Sequence, residues 1–239
     1  MSRKLHLLIL VLALGLGVCA PAVDAFVINI NPGAGLAANA EALAAFNRAA
    51  AQWTHYFDDP ITININADLQ PLGAGILGST SSTFYTRNYD TIRTAMVNDA
   101  LPYANNSIVA SLPTLAQFSA WVPVSSTIPN GFGISSDILA TQANLKALNF
   151  TGFGNTPDAA ITFSSNFNFA YTHASLAPGL YDFETVAAHE IGHALGFVSA
   201  VDDVDYYLAY YYYYPPAPSV PIDINLEPLD LFRFRPADN

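Results

Sequence analysis

The sequence predicts an α/β protein of the α+β type, with a mixed, twisted sheet packed on a long helix and a shorter one. Three observations support this fold class. Hydrophobic residues make up 52% of the 239 residues and charged residues only 11%, which excludes a disordered chain. Some segments alternate apolar and polar residues as strands do, and others repeat apolar residues at helical spacing. No change of composition marks a second domain, so one domain is expected over residues 26–239.

Residues 1–25 predict a secretory signal peptide. Arg3 and Lys4 form a charged start, residues 5–18 are apolar, and Ala25 ends a small-residue cleavage pattern. The apolar run is shorter than the roughly 20 residues that span a bilayer. The alternative is an uncleaved anchor. We expect the mature chain to be secreted, extracellular and free of membrane contact after cleavage, and free of cysteine, since Cys19 lies in the removed segment.

The charge balance excludes one class of partner. Eight basic and 19 acidic residues give a formal net charge of −11, whereas nucleic-acid binders that contact phosphates are basic. We therefore expect no nucleic-acid partner. An acidic domain without disulfides depends on core packing and could also bind cations such as calcium. We expect a monomer.

The first half of the mature chain predicts strand, helix and strand in turn. Residues 26–31 (FVININ) alternate apolar and polar, and residues 37–56 repeat apolar side chains at three- and four-residue steps. Residues 61–69 (ITININADL) alternate again, with the isoleucines on one face. Glycine and serine indicate a loop at residues 71–83.

The pattern becomes weaker beyond that loop. Residues 89–99 predict a helix, and residues 107–112 predict a short strand or helix. Residues 135–148 predict a helix with Ser135 or Ser136 as its N-cap. Residues 160–169 predict a strand followed by a polar turn.

The last predicted helix carries the chemistry. It covers residues 182–195, with Asp182 as a favourable N-cap and Gly196 as a favourable end. Seven of the chain's 13 tyrosines and a proline cluster follow within residues 200–221, which predicts a loop.

An HExxH sequence lies on this helix, at residues 189–193 (HEIGH). Residues four apart share one helix face, so His189 and His193 can both present a ring nitrogen to one zinc ion. Glu190 lies beside them and can act as general base on water activated by the zinc, then return the proton to a leaving amine. The uncharged flanks favour a buried active-site helix over a solvated surface helix.

The segment FETVAAHEIGHALGF (residues 183–197) resembles the active-site helix of zincin metallopeptidases. Gly196 extends the motif to HExxHxxG, which is similar to the metzincin clan. With AITFSSNF and LDLFRF, the chain resembles exported bacterial metalloproteases that often carry a C-terminal surface-sorting tail. The resemblance covers residues 26–235. It implies a metzincin-like zincin domain, a Zn²⁺ cofactor and a protein or peptide substrate.

The third zinc ligand departs from the family pattern, because Ser199 stands where metzincins have a histidine or aspartate. We predict Asp202, since a short shift in the turn would bring its carboxylate to the zinc. Alternatives are nearby or later acidic residues, or a histidine before the helix: Asp203, Asp205, Glu227, Asp230 and His173. These acids could instead be solvated or bind calcium.

The metzincin methionine turn also has no counterpart, since no methionine follows the motif. Residues 229–234 (LDLFRF) could form the equivalent floor, where Arg233 could bind a carboxylate; otherwise they form an ordinary strand. The family usually continues beyond this point, so a truncated or short variant is expected.

The function predicted from these features is a secreted zinc endopeptidase. We expect an edge strand near residues 107–112 to hold the substrate backbone. Two alternatives stay open: a catalytically inactive zinc-binding surface adhesin that uses the tyrosine-rich segment for contact, and a truncated product that does not fold stably.

Overall fold

The computed structural model describes residues 26–102, 107–121, 132–213 and 222–233. The strands are β1 (Val27–Pro32), β2 (Thr62–Gln70), β3 (Gly78–Ser82), β4 (Phe84–Asn88), β5 (Phe132–Thr141), β6 (Ala159–Ser164), β7 (Phe169–Ala170), β8 (Tyr181–Asp182) and β9 (Ile222–Leu226). The helices are α1 (Ala34–Ala37), α2 (Ala40–Thr54), α3 (Tyr89–Ala100), α4 (Ser107–Ala110), α5 (Leu115–Trp121), α6 (Gln142–Ala147), α7 (Phe183–Ala194) and α8 (Val201–Tyr213). Short 3₁₀ helices cover His173–Ser175 and Pro228–Phe232. The predicted α+β class is confirmed.

The main sheet has the strand order β1-β2-β6-β3. The first three strands are parallel, and β3 pairs antiparallel with β6 at the edge. Alternate residues of β2 (Ile63, Ile65 and Ala67) are buried, as their spacing predicts. This arrangement leaves β3 with one free side among the strands that the structure describes.

Helices α2 and α7 pack on this sheet and form its core. Phe46 of α2 and Phe183 of α7 both contact Phe163 of β6, with ring centroids 5.2 and 4.6 Å away. The side chain of Asn39 caps α2 by accepting from the amide of Ala42, and Asp182 caps α7. The core therefore holds α7 against the sheet edge that β3 forms.

A second sheet, β4-β5-β9, forms the other half of the molecule. Its core cluster is formed with α3, α5, α6 and the 3₁₀ helix Pro228–Phe232: Tyr89, Ile92, Phe118, Ile138, Leu145 and Leu231. Strand β4 follows β3 after a single residue, Thr83, so the two sheets are joined directly beside α7.

Six predicted elements are confirmed as β1, α2, β2, α3, β6 and α7. The loop predicted at residues 71–83 is wrong in its second part, which forms β3. The sequence of β3, GSTSS, contains no apolar residue, so its strand structure depends on pairing with β6. For residues 107–112 the helix alternative is confirmed, because Ser107–Ala110 form α4, and the edge strand expected there is wrong.

Two further predictions need correction. The helix predicted for residues 135–148 begins only at Gln142, after β5, and its N-cap is Thr141. β5 is held by neighbours distant in sequence, β4 and β9. Residues 201–213 form α8 rather than a loop, with Val204 and Tyr207 packed on Ala200 and Ile224.

The predicted signal peptide, residues 1–25, lies outside the described residues. Among the helices of the described segments, none combines the length and apolar character needed to cross a membrane.

Candidate active site

Helix α7 brings the two histidines of the HExxH motif together. The Nε2 atoms of His189 and His193 are 3.0 Å apart, and the rings are nearly perpendicular with centroids 4.5 Å apart. His189 is exposed and His193 is half-buried, so the ring nitrogens lie at an accessible surface of the helix.

The chain after α7 fixes the orientation of His193. Its Nδ1 lies 3.0 Å from the carbonyl oxygen of Phe197, which can only accept a hydrogen bond. Nδ1 therefore carries a proton, and in the neutral ring the lone pair is on Nε2, the atom that faces His189. This second contact is typical of metal-binding histidines.

Gly196 makes that contact possible. Its φ is +98°, a left-handed conformation that favours glycine, and it turns the chain so that Phe197 folds back to His193. A Cβ at position 196 would also clash with the side chain of Asn144. Asn144 in turn donates to the carbonyl of Leu195 at 3.0 Å.

Glu190 is buried, with 6% of its surface exposed, and it faces β3. The hydroxyl of Thr80 lies 2.7 Å from Oε2 of Glu190 and 2.9 Å from its main-chain oxygen. A Cβ at Gly78 would lie 2.9 Å from Oε1 of Glu190. The predicted general base therefore packs directly under the edge strand.

The histidine pair fits two positions of a zinc site. Two nitrogens bound to one tetrahedral zinc at 2.0–2.1 Å would lie about 3.3 Å apart, close to the observed 3.0 Å. A third protein ligand is not in place. Within residues 26–102, 107–121, 132–213 and 222–233, no group of three or more histidine, cysteine or acidic side chains could hold a metal ion.

The predicted third ligand, Asp202, lies in the first turn of α8 and is exposed, as are Asp203 and Asp205. The structure does not bring these carboxylates into one ligand group with His189 and His193. Asp202 as a zinc ligand stays a prediction.

Asp230 is occupied by other contacts. Its carboxylate accepts from Ser199 Oγ at 2.6 Å and from the amides of Ala200 and Glu227, both at 3.0 Å. The Nε of Arg233 lies 3.2 Å away. Arg233 thus binds a carboxylate as expected. The segment before it, Pro228–Phe232, is a 3₁₀ helix rather than a strand. Ser199, the residue at the usual ligand position, is part of this network.

Glu227 is buried beside the same network. Burial, followed by the charges of Asp230 and Asp203, raises its pKa to about 7. Its Oε2 atom has no hydrogen-bond partner among the described residues.

His173 lies at the other end of α7. Its Nε2 is 3.7 Å from Oδ2 of Asp182, the N-cap residue. Asp182 and His189 are seven positions apart, which corresponds to about 10 Å along a helix. His173 is therefore grouped with the helix start and not with the histidine pair.

Sequence reasoning missed the contacts that β3 and Phe197 make with the motif. The alternation of Gly78, Thr80 and Ser82 in β3 places small side chains on one face, but no motif marks them. The signal that could have identified this strand is the ability of residues 78–82 to pair with β6.

Comparison with family models, curated proteins and solved structures finds no significant match to this chain.

Proposed function

We propose that the chain is a secreted, metzincin-like zinc endopeptidase. The observation that carries this proposal is the pair of Nε2 atoms 3.0 Å apart on α7, the helix that also carries the buried carboxylate of Glu190. The order of β1, α2, β2, β3, β6 and α7 supports the metzincin-like arrangement implied by the sequence resemblance.

Each residue of the motif has a defined role in this proposal. His189 and His193 hold the zinc, and the carbonyl of Phe197 orients His193. Zinc bound there would polarise the peptide carbonyl and lower the pKa of water. Glu190 accepts a proton from the attacking water and donates it to the leaving amine.

Strand β3 is the proposed binding edge for the substrate. It lies at the end of the sheet, and its inner face contacts α7 at Glu190 and His193. An extended peptide can pair with the free side of such a strand through main-chain hydrogen bonds. The edge strand first expected near residues 107–112 is thus replaced by residues 78–82.

The substitution Glu190→Gln tests the reaction. We expect casein hydrolysis to fall at least about 100-fold, because general acid–base catalysis contributes that much or more. The zinc content, measured by atomic emission, should stay near one ion per chain. Glu41→Gln is the matched control, since it removes an exposed carboxylate from α2. Hydrolysis at the wild-type rate by Glu190→Gln would refute the mechanism.

The third ligand is tested by zinc binding alone. If Asp202 completes the site, Asp202→Ala should weaken zinc binding at least about 10- to 100-fold, since the loss of a mere outer-shell partner already costs that much, whereas Asp203→Ala and Asp205→Ala should bind like the wild type. Competition with a chromogenic chelator measures the affinity. Equal zinc affinity in all three variants would exclude Asp202.

A zinc-binding but inactive surface adhesin remains the second candidate. The absence of a three-residue ligand group from the described segments favours it. One zinc per chain without cleavage of casein by the wild type would support this function. A wild-type chain that binds no zinc would contradict both candidates.

A further inference from the structure

The inner face of β3 is made of small or hydroxyl-bearing residues that all contact the motif on α7. Gly78, Thr80 and Ser82 alternate along the strand and therefore point to one face. Gly78 lies against the side chain of Glu190, and Ser82 donates to the main-chain oxygen of His193 at 3.1 Å. Of these three residues, only Thr80 donates a hydrogen bond to a side-chain atom of the motif, Oε2 of Glu190.

The hydroxyl of Thr80 has one proton and two acceptors within reach. These are Oε2 of Glu190 at 2.7 Å and its main-chain oxygen at 2.9 Å. Hydrogen bonds to a carboxylate oxygen are roughly twice as strong as those to a neutral acceptor, so the hydroxyl of Thr80 donates to Oε2 when Glu190 acts as a base. The neighbouring main-chain contact keeps the hydroxyl close to the carboxylate.

The other carboxylate oxygen is in a different situation. Among the described residues, none donates a hydrogen bond to Oε1 of Glu190, and Gly78 packs so closely against it that a Cβ there would lie 2.9 Å away. The two oxygens are therefore not equivalent, because Thr80 donates to Oε2 and no described residue donates to Oε1.

We infer that Thr80 is a positioning residue for Glu190, whose hydroxyl holds Oε2 so that Oε1 is the oxygen presented to water. The role of Thr80 in catalysis rests on the proposed function. The proton passes from water to Oε1 and from Oε1 to the leaving amine, while Thr80 keeps its own proton throughout. A threonine on the edge strand thus links substrate binding to the general base.

The first test does not depend on activity. The side-chain carboxyl carbon of Glu190 is observed by carbon-13 NMR in the zinc-free full chain and is assigned by its loss in Glu190→Gln. We expect this signal to shift in the isosteric variant Thr80→Val and to return in Thr80→Ser. Ser82→Ala is the matched control: it removes a neighbouring hydroxyl that contacts only the main chain of α7, so the signal should not move.

The second test separates positioning from binding. We expect kcat of Thr80→Val to fall about 10- to 100-fold, the effect of a small misplacement of a catalytic group. KM should change by less than about twofold, and Thr80→Ser should restore most of kcat.

An unchanged carboxyl signal in Thr80→Val would overturn the inference, as would an unchanged kcat. A wild type without hydrolysis, combined with the expected NMR response, would refute the proposed function and leave the contact between Thr80 and Glu190 established.

Discussion

At the scale of single residues, Glu227 is the carboxyl group that its surroundings perturb most clearly. It is 8% exposed, and its Oε2 has no partner among the described residues. Burial and the nearby carboxylates of Asp230 and Asp203 raise its pKa from 4.5 to about 7. The folded protein therefore binds this proton more tightly than the unfolded chain does. The resulting stabilisation is complete below about pH 4.5 and is lost as the pH rises through 7.

The substitution Glu227→Gln should reveal this dependence. A glutamine keeps the shape of the side chain and cannot ionise, so the variant should gain stability over the wild type as the pH rises from 5 to 8. Thermal unfolding in the presence of EDTA, at several pH values, measures the difference in Tm without interference from metals.

Glu41→Gln is the comparison, because it removes an exposed carboxylate, and it should show no such gain. A difference between Glu227→Gln and the wild type that does not vary between pH 5 and 8 would contradict the assignment of this ionisation to Glu227.

At the scale of elements, the segments with their own buried face were predicted well. β2 and α2 each repeat apolar residues at the period of their structure, and most of these residues are buried. The motif helix α7 was also predicted with its N-cap, Asp182, and its glycine end, Gly196. Local sequence therefore located the two histidines and Glu190 on one helix.

Elements held by distant partners were not predictable in this way. β3 has no apolar residue, and its strand structure comes from pairing with β6, about 80 residues later. β5 contains serines, which are typical of a helix N-cap, but pairing with β4 and β9 makes the segment extended. The spacing of apolar residues does not reveal such pairing, so the sequence alone predicts a loop for the strand that contacts Glu190.

The tyrosine-rich segment shows the opposite error. Its composition indicated a loop, yet residues 201–213 form α8. Residues 201–214 contain no proline or glycine, and Asp202 and Asp203 lie in the first turn, where acidic side chains favour a helix. Asp202, which was expected to reach the zinc by a short shift in a turn, therefore lies on a helix.

At the scale of the whole molecule, α6 joins the two hydrophobic clusters. Ala143 belongs to the cluster of the main sheet, and Leu145 belongs to the cluster of the second sheet. Asp158, which has a fully buried side chain, holds this helix in place. It accepts from Lys146 Nζ at 2.7 Å, from Gln142 Nε2 at 3.0 Å and from the amide of Asn64 in β2 at 2.7 Å.

The substitution Lys146→Met should therefore destabilise the whole chain. It leaves the carboxylate of Asp158 buried without its cation, which costs about 3 kcal/mol. For a domain of this size, that loss lowers Tm by about 6–12 °C. Calorimetry should show a single transition in both proteins, because the two clusters share α6. This outcome would also support the prediction of one domain over residues 26–239.

A second substitution distinguishes the cost of an unpaired buried charge from the other effects of losing the Lys146 ammonium. Asp158→Asn added to Lys146→Met removes the unpaired charge, so the double variant should recover part of the lost stability. No recovery would mean that the hydrogen bonds of the Lys146 ammonium to Asp158 and Thr62, rather than an unpaired buried charge, account for the loss. Two separate transitions in the wild type would mean that the clusters unfold independently. In that case the contacts of β3 with Glu190 and His193 would belong to the unit of the main sheet alone.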